Sequence, residues 1–134
     1  MLKHPRAQAS LHDFPYSNVV VSGELVAIAS QVPFDDQDHL VSNAFDEQAH
    51  QVFANLGRCL QAAGCGFDDV IKTTGYLANP DLVLAYNEVY RHYFTPPYPA
   101  RSTVACSLVV PGMLLQVDAL AVLPAAKSSS RSGP

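Results

Sequence analysis

The sequence LLQVDALAVL at residues 114–123 decides the fold, because its alternation separates the two faces of one β-strand. One row is apolar from end to end, which is typical of a strand face that packs against helices. The other row carries Gln116 and Asp118 among apolar residues and suits neither a core nor an ordinary wet surface. We therefore expect a sheet that helices cover on one face only. The apolar row consists of Leu115, Val117, Ala119, Ala121 and Leu123.

The chain before this strand predicts four more strands and two helices. Gly23-Glu24 between two β-rich runs is typical of a hairpin, and apolar residues at spacings of three and four indicate amphipathic helices. The first helix is expected to begin at a cap on Ser42 or Asn43 and to end at Gly64, and the second to begin with Asn79-Pro80. The order β-β-α-β-α-β-β is an α+β fold in which right-handed crossovers put both helices on one face. The predicted strands are Val19–Ser22, 25–32, Val70–Leu77, 101–109 and 114–123.

Composition limits the class of protein. The chain has 134 residues, of which 49% are hydrophobic and 15% charged; this is enough for one packed domain and argues against disorder. We assign residues 1–124 to that domain and expect residues 125–134, rich in Ser, to form a disordered tail. A net charge of −4, with no cluster of Lys or Arg, argues against nucleic-acid binding.

Cellular location and metal binding are inferred from signals that the sequence lacks. No run approaches the roughly 18 apolar residues of a membrane span, and the first residues have no apolar signal-peptide core. The three cysteines match neither a metal knuckle nor a disulfide framework, and the five histidines have no metal-ligand spacing. We expect a cytoplasmic protein with reduced thiols that binds neither a membrane nor a metal ion.

The sheet face without helices has two interpretations: it is solvated, or it packs against the same face of another subunit. Assembly is favoured because the apolar residues of this face would otherwise remain exposed to solvent. Charges in such an interface need partners, and Lys72 with Asp118 is a candidate pair. Arg101, which we expect on this face, has no partner evident in the sequence and so invites a carboxylate ligand. Cys106 is expected, from its alternation along the same strand, to be a buried core thiol.

Arg101 lies in Pro99-Ala100-Arg101-Ser102-Thr103-Val104, which resembles the signature of the reactive-intermediate deaminase family, the RidA or YjgF proteins. The resemblance extends over nearly the whole chain, from Phe14 to Val122, and rests on the order and spacing of several motifs together. The further motifs are Phe14-Pro15-Tyr16, Ala29-Ser30-Gln31-Val32-Pro33, Asp69-Val70-Ile71-Lys72-Thr73-Thr74, Tyr86-Asn87-Glu88-Val89-Tyr90 and Leu115-Gln116-Val117-Asp118-Ala119.

This resemblance implies a chorismate-mutase-like fold that assembles as a homotrimeric barrel with pockets between subunits. It also implies hydrolytic deamination of 2-imino or enamino acids to 2-keto acids and ammonia, without a metal or an organic cofactor. By the same resemblance Arg101 holds the substrate carboxylate; the structural alternative is an interface arginine bonded to a neighbour's backbone carbonyls. An iminium carbon is already electrophilic, so such a site has mainly to fix the carboxylate, place a water and manage protons.

Four further residues lie at family positions near the substrate; three have a structural alternative, and the fourth departs from the family. Tyr16 borders the pocket or is a packing aromatic, and Asn87 lies near the site or is a solvated helix residue. Thr103 stands where many members have cysteine. It either hydrogen-bonds a ligand or is present because threonine favours β-strands. Ser30 stands where the family has glycine, which narrows the pocket or adds a polar contact.

Gln116 is the main departure from the family, whose active members have a glutamate there that is seen as activating the attacking water. Glutamine can orient a water but cannot accept its proton at neutral pH, and loss of a general base costs about 10²- to 10⁴-fold in rate. Asp118, two residues along the same face and shorter, is a poor direct replacement.

Two alternatives therefore stand beside an imine deaminase whose water is oriented near Gln116. One is a non-catalytic trimer that binds small carboxylates or 2-keto acids, and the other is a deaminase of another substrate such as an aminomuconate. Endoribonuclease, a further label of the family, is disfavoured because the acidic balance supplies no basic surface for RNA.

Overall fold

The computed structural model describes residues 14–124, and the expected tail at 125–134 lies outside them. The described elements follow the predicted order and form an α+β fold of one sheet and two helices, with the strands arranged in space as β1-β2-β5-β3-β4. Neither helix in this range is long and apolar enough to cross a membrane. The elements are β1 (Val19–Ser22), β2 (Leu25–Gln31), α1 (Phe45–Ala62), β3 (Val70–Leu77), α2 (Val83–Tyr93), β4 (Ala100–Ala105) and β5 (Leu115–Val122).

The central strand β5 packs its apolar row against the helices, as predicted. Leu115, Val117 and Ala121 are fully buried and share one core with apolar residues of β2, α1 and α2. Phe53 of α1 lies among the aromatic rings of α2 and stacks on Tyr93 at 4.9 Å between ring centroids. Burial of this row fixes which face of the sheet the helices cover.

The helix ends follow local backbone chemistry, with one difference from prediction. The N-cap of α1 is Ala44, whose side chain cannot cap, so the expected capping by Ser42 or Asn43 is wrong. Ser42 instead accepts a hydrogen bond from the Ala44 backbone N–H at 2.9 Å, in the turn that leads into the helix. Gly64 follows α1 with a φ of +84°, as predicted for a terminating glycine. Asn79 caps the 3₁₀ turn that precedes α2, also as predicted.

The edge strand β4 differs from prediction in length and surroundings. It ends at Ala105 and pairs in parallel with β3, which separates it from β5, so the last two strands are not neighbours. Nearly all of its side chains are exposed. Cys106 lies just beyond the strand and is half-buried, so the expectation of a buried core thiol is wrong.

The sheet face opposite the helices, which we call the bare face, is not covered by any element within residues 14–124. Val20 of β1 and Leu120 of β5 lie in one row across it, and 52% and 39% of their surfaces are exposed. The expected ion pair between Lys72 and Asp118 does not form in the described chain, because Lys72 lies opposite Leu120 rather than Asp118. The bare face therefore combines exposed apolar side chains with few charges.

Candidate functional site

Arg101 lies on the helix-covered side of the sheet, so its expected place on the bare face is wrong. In the register of β4 it is the partner of Thr73 on β3. The Thr73 side chain is buried against α2, where its hydroxyl hydrogen-bonds the Tyr90 hydroxyl at 2.8 Å. Paired residues on neighbouring strands point to the same side, which directs Arg101 along the sheet edge towards α2.

Two hydrogen bonds and two aromatic rings hold the Arg101 guanidinium. Its Nε donates to Thr103 Oγ1 at 2.9 Å, and its Nη2 donates to Asn87 Oδ1. Its Cζ atom lies 4.8 Å from the ring centroids of both Tyr86 and Tyr90, a range in which a cation–π contact contributes about 0.5–2 kcal/mol. Of the five guanidinium N–H bonds, three have no partner among the described residues. A cation fixed in this way is suited to bidentate binding of a carboxylate.

Arg101 lines a small cavity beside the edge strand, which we call the edge cavity. Its volume is about 290 Å³, which suits a ligand of few atoms. Arg91 adds a second cation to its wall but is paired with Glu88 at 2.9 Å, so Arg101 is the less neutralised of the two. The lining residues are Asn87, Tyr90, Arg91, Tyr98, Pro99 and Arg101.

A second cavity, of about 280 Å³, opens on the bare face and is called here the face cavity. Its walls are mostly apolar, and Ser30 and Gln116 supply polar side chains. Tyr16 borders it with about half of its surface exposed, and partial burial raises the pKa of its hydroxyl, with a smaller contribution from the Asp38 carboxylate. The lining residues are Phe14, Tyr16, Ala29, Ser30, Val32, Val109, Val110, Met113 and Gln116.

Asp118 is one hydrogen bond away from the face cavity. Its Oδ2 accepts hydrogen bonds from Ser30 Oγ at 3.4 Å and from the Tyr76 hydroxyl at 3.3 Å. Desolvation, and after it the charge of Asp118, raises the pKa of Tyr76, which keeps that phenol protonated as a donor. Ser30 thus connects the cavity wall with a carboxylate behind it.

The predicted site residues therefore fall into two groups on opposite sides of the sheet. Gln116 is paired with Tyr76, which alternates away from Thr73 and so faces the bare side. One chain does not bring Arg101 and Gln116 into a single site. The first group is Arg101, Asn87 and Thr103 at the edge cavity, and the second is Tyr16, Ser30 and Gln116 at the face cavity.

The sequence does not reveal that two tyrosine rings lie under Arg101. Tyr86 and Tyr90 are spaced four apart in the apolar stripe of α2, a pattern that indicates only burial in the core, where both lie; their position close to Asn87 is the available signal. The Tyr86 hydroxyl is buried without a hydrogen-bond partner in the described chain, and desolvation raises its pKa strongly. Gly75 makes room for it, because a Cβ atom at that position would lie 2.5 Å from the Tyr86 hydroxyl oxygen.

The acidic loop at residues 35–38 has a structural explanation. Asp35 accepts hydrogen bonds from the backbone N–H groups of Gln37 and His39, both at 2.9 Å, and these bonds lower the pKa of its carboxyl group. Such bonding is typical of a turn. Within residues 14–124, no three side chains of His, Cys, Asp or Glu come close enough together to hold a metal ion.

The fold and the fixed arginine define the class of protein: a two-layer α+β domain with a cation held beside its edge strand. The model of the family described as Endoribonuclease L-PSP matches residues 7–123. A 2-iminobutanoate/2-iminopropanoate deaminase from Homo sapiens is 35% identical over 109 residues, which cover 81% of this chain and 80% of that protein. A RutC family protein from Synechocystis sp. is 36% identical over 121 residues, covering 88% and 93%. The crystal structure of RidA from an Antarctic Psychrobacter has a TM-score of 0.79 at 30% identity, covering 86% and 92%.

The chain therefore belongs to the Endoribonuclease L-PSP family, which is the RidA/YjgF family that its motifs resemble. The matched range contains every described residue of both cavities. The edge cavity and the face cavity thus lie within the part of the chain that matches the family.

Proposed function

We propose that this protein hydrolyses 2-imino acids and their enamine tautomers to 2-keto acids and ammonia. The observation that carries the proposal is the fixed guanidinium of Arg101, with three N–H bonds that the described chain does not use. A 2-imino acid is a molecule of few atoms with a carboxylate that such an arginine binds. The relative from Homo sapiens is named for 2-iminobutanoate and 2-iminopropanoate, which supports this substrate class.

The proposed site is completed by a second subunit of a homotrimer. Arg101 belongs to the edge cavity and Gln116 to the face cavity, on opposite sides of one sheet. A contact between the edge strand of one subunit and the bare face of the next unites the two groups. The same contact covers the exposed Val20 and Leu120. Repetition of such a head-to-tail contact closes a ring of identical subunits.

In this site Arg101 fixes the carboxylate, and Gln116 orients a water towards C2 of the imino acid. Addition of the water gives a carbinolamine, whose collapse releases ammonia and leaves the 2-keto acid. The iminium carbon is electrophilic by itself, so positioning supplies much of the acceleration. The reaction as proposed uses no organic cofactor and no metal.

A second candidate function is binding of 2-keto acids or other small carboxylates without turnover. Gln116 favours it, because an amide cannot accept a proton from water at neutral pH. Binding needs Arg101 as much as deamination does. A deaminase of another substrate, such as an aminomuconate, also uses Arg101 in the same way and differs in the substrate that it turns over.

Hydrolysis of freshly generated 2-iminopropanoate separates these candidates. The wild-type protein is expected to accelerate it, and Arg101→Ala to lose about 10²-fold or more in kcat/KM because the charge-assisted contact with the substrate carboxylate is removed. Arg58→Ala, which removes an exposed arginine of α1, is the matched control and should retain activity. Activity in Gln116→Glu alone would favour the carboxylate binder. Full activity of Arg101→Ala would contradict both functions.

A further inference from the structure

We infer that Asp118 receives the proton of the attacking water through the Ser30 hydroxyl, in place of a carboxylate at position 116. This inference rests on the proposed deaminase function. In it, Ser30 is the group that touches the water, and Asp118 positions the Ser30 hydroxyl and takes up its proton.

The hydrogen bonds around Ser30 provide the path. Ser30 lines the face cavity together with Gln116, and its Oγ donates to Asp118 Oδ2 at 3.4 Å. A hydroxyl can donate one hydrogen bond while accepting another, so Ser30 can accept from a cavity water as it donates to Asp118. The Tyr76 hydroxyl donates to the same carboxylate oxygen at 3.3 Å and holds it in place. Gln116 orients the water, and Ser30 leads its proton away.

The groups that face Asp118 leave its carboxylate able to accept a proton. From β3, Tyr76 is a neutral donor whose pKa is raised by desolvation and by Asp118, and Lys72 lies further along the same face, opposite Leu120. From β2, the contact is the uncharged Ser30. Through the sheet, Tyr86 is also neutral, since burial and neighbouring charges, Asp118 among them, raise its pKa. Among the groups named here, Asp118 is therefore the one whose carboxylate can accept the proton.

The proton path balances through both halves of the reaction. As the water oxygen bonds to C2 of the iminium ion, one water proton passes to Ser30 Oγ and the Ser30 proton passes to Asp118. The electron pair of the C=N bond moves to nitrogen and gives a neutral carbinolamine. Asp118 returns its proton by the same path to that nitrogen, the C–N bond breaks and ammonia leaves. The carbinolamine hydroxyl gives up its proton to Asp118 as the carbonyl forms, and ammonia or solvent takes it.

The test measures kcat, KM and the pH profile for 2-iminopropanoate hydrolysis. Asp118→Asn keeps the shape of the side chain but cannot take a proton, so kcat should fall about 10²-fold. A carboxylate accepts a proton only in its ionised form, so wild-type activity should fall at acid pH, and Asp118→Asn should lose this acid limb. Ser30→Ala should lower kcat as well. Protonation of the substrate itself affects the pH profile of every variant equally, so it can be distinguished from the effect of Asp118.

A rescue and a matched control distinguish a chemical role from a structural one. The double variant Gln116→Glu with Asp118→Asn should regain kcat and an acid limb, because a carboxylate again reaches the water. Asp46→Asn in the first turn of α1 is the control and should behave as wild type. An active wild-type protein whose Asp118→Asn variant keeps kcat and the acid limb would overturn the inference alone. A loss in Asp118→Asn without rescue would also overturn it, whereas an inactive wild-type protein would overturn the proposed function and the inference together.

Discussion

At the scale of single residues, Tyr86 and Tyr90 support Arg101 in the same way but differ in their hydroxyl groups. Both rings lie 4.8 Å from the Arg101 Cζ atom. The Tyr90 hydroxyl is bonded to Thr73 at 2.8 Å, whereas that of Tyr86 is buried without a partner in the described chain. An unsatisfied buried hydroxyl costs about 1–3 kcal/mol. The ring of Tyr86, rather than its hydroxyl, therefore accounts for its contribution to the site.

This difference predicts opposite effects of two identical substitutions. Tyr86→Phe should leave the free energy of unfolding unchanged or raise it by about 1 kcal/mol, because a desolvated hydroxyl is removed. Tyr90→Phe should lower it by about 1–2 kcal/mol, since the Thr73 hydroxyl loses its partner. Urea denaturation followed by circular dichroism measures both values. Equal losses in the two variants would contradict the assignment of the Tyr86 hydroxyl as unsatisfied.

The sequence identified Arg101, Asn87 and Thr103 because they belong to short motifs, but it did not predict that they contact one another. Their contacts depend on the register of β4 against β3 and on the side of the sheet that Arg101 faces. The alternation of apolar and polar residues shows which face of the sheet a side chain points to only where one row of side chains is buried, as in β5. Both rows of β4 are largely exposed, so its pattern contains no such information and Arg101 was predicted on the wrong face.

At the scale of elements, the ends of a strand were predicted well where its alternating pattern stops at a residue that disfavours a strand. β3 was predicted with its observed ends, and β5 to within one residue at each end. The end of β4 was predicted too late because its β-rich composition continues beyond Ala105, where pairing with β3 stops. An edge strand ends where its pairing with the neighbouring strand ends, and the local amino-acid composition does not predict that position.

The end of α1 offers a test at this scale. Gly64 has a φ of +84°, a conformation that costs an L-residue about 1–2 kcal/mol, so Gly64→Ala should lower the free energy of unfolding by about 1 kcal/mol. Gly66→Ala is the matched control, because Gly66 has an extended φ of −132° and open space around a Cβ atom. Thermal and urea unfolding of the two variants measure the contrast. A Gly66→Ala variant as unstable as Gly64→Ala would contradict this account of the helix end.

At the scale of the whole molecule, the edge cavity and the face cavity lie on opposite sides of the sheet. The sheet separates Arg101 from Gln116, and the bare face exposes Val20 and Leu120. The proposed assembly would account for both observations, because in it a neighbouring subunit covers the apolar face and supplies the other half of the proposed site. Sequence patterns could indicate the bare face but not the division, because the division depends on where β4 joins the sheet.

Mixed oligomers test this division directly. Arg101→Ala removes the carboxylate anchor, and Ser30→Ala combined with Gln116→Ala removes the polar groups of the face cavity; each protein alone should be nearly inactive. If a site takes Arg101 from one subunit and the face cavity from its neighbour, each trimer that contains both proteins has one complete site of its three, so the doubly purified trimers should regain about one third of the wild-type activity. Co-expression with two affinity tags, purification through both and assay with 2-iminopropanoate measure the restored activity. Mixed oligomers without activity would mean that both halves must come from the same chain, which the position of the two cavities on opposite sides of one sheet does not permit without a rearrangement of β4.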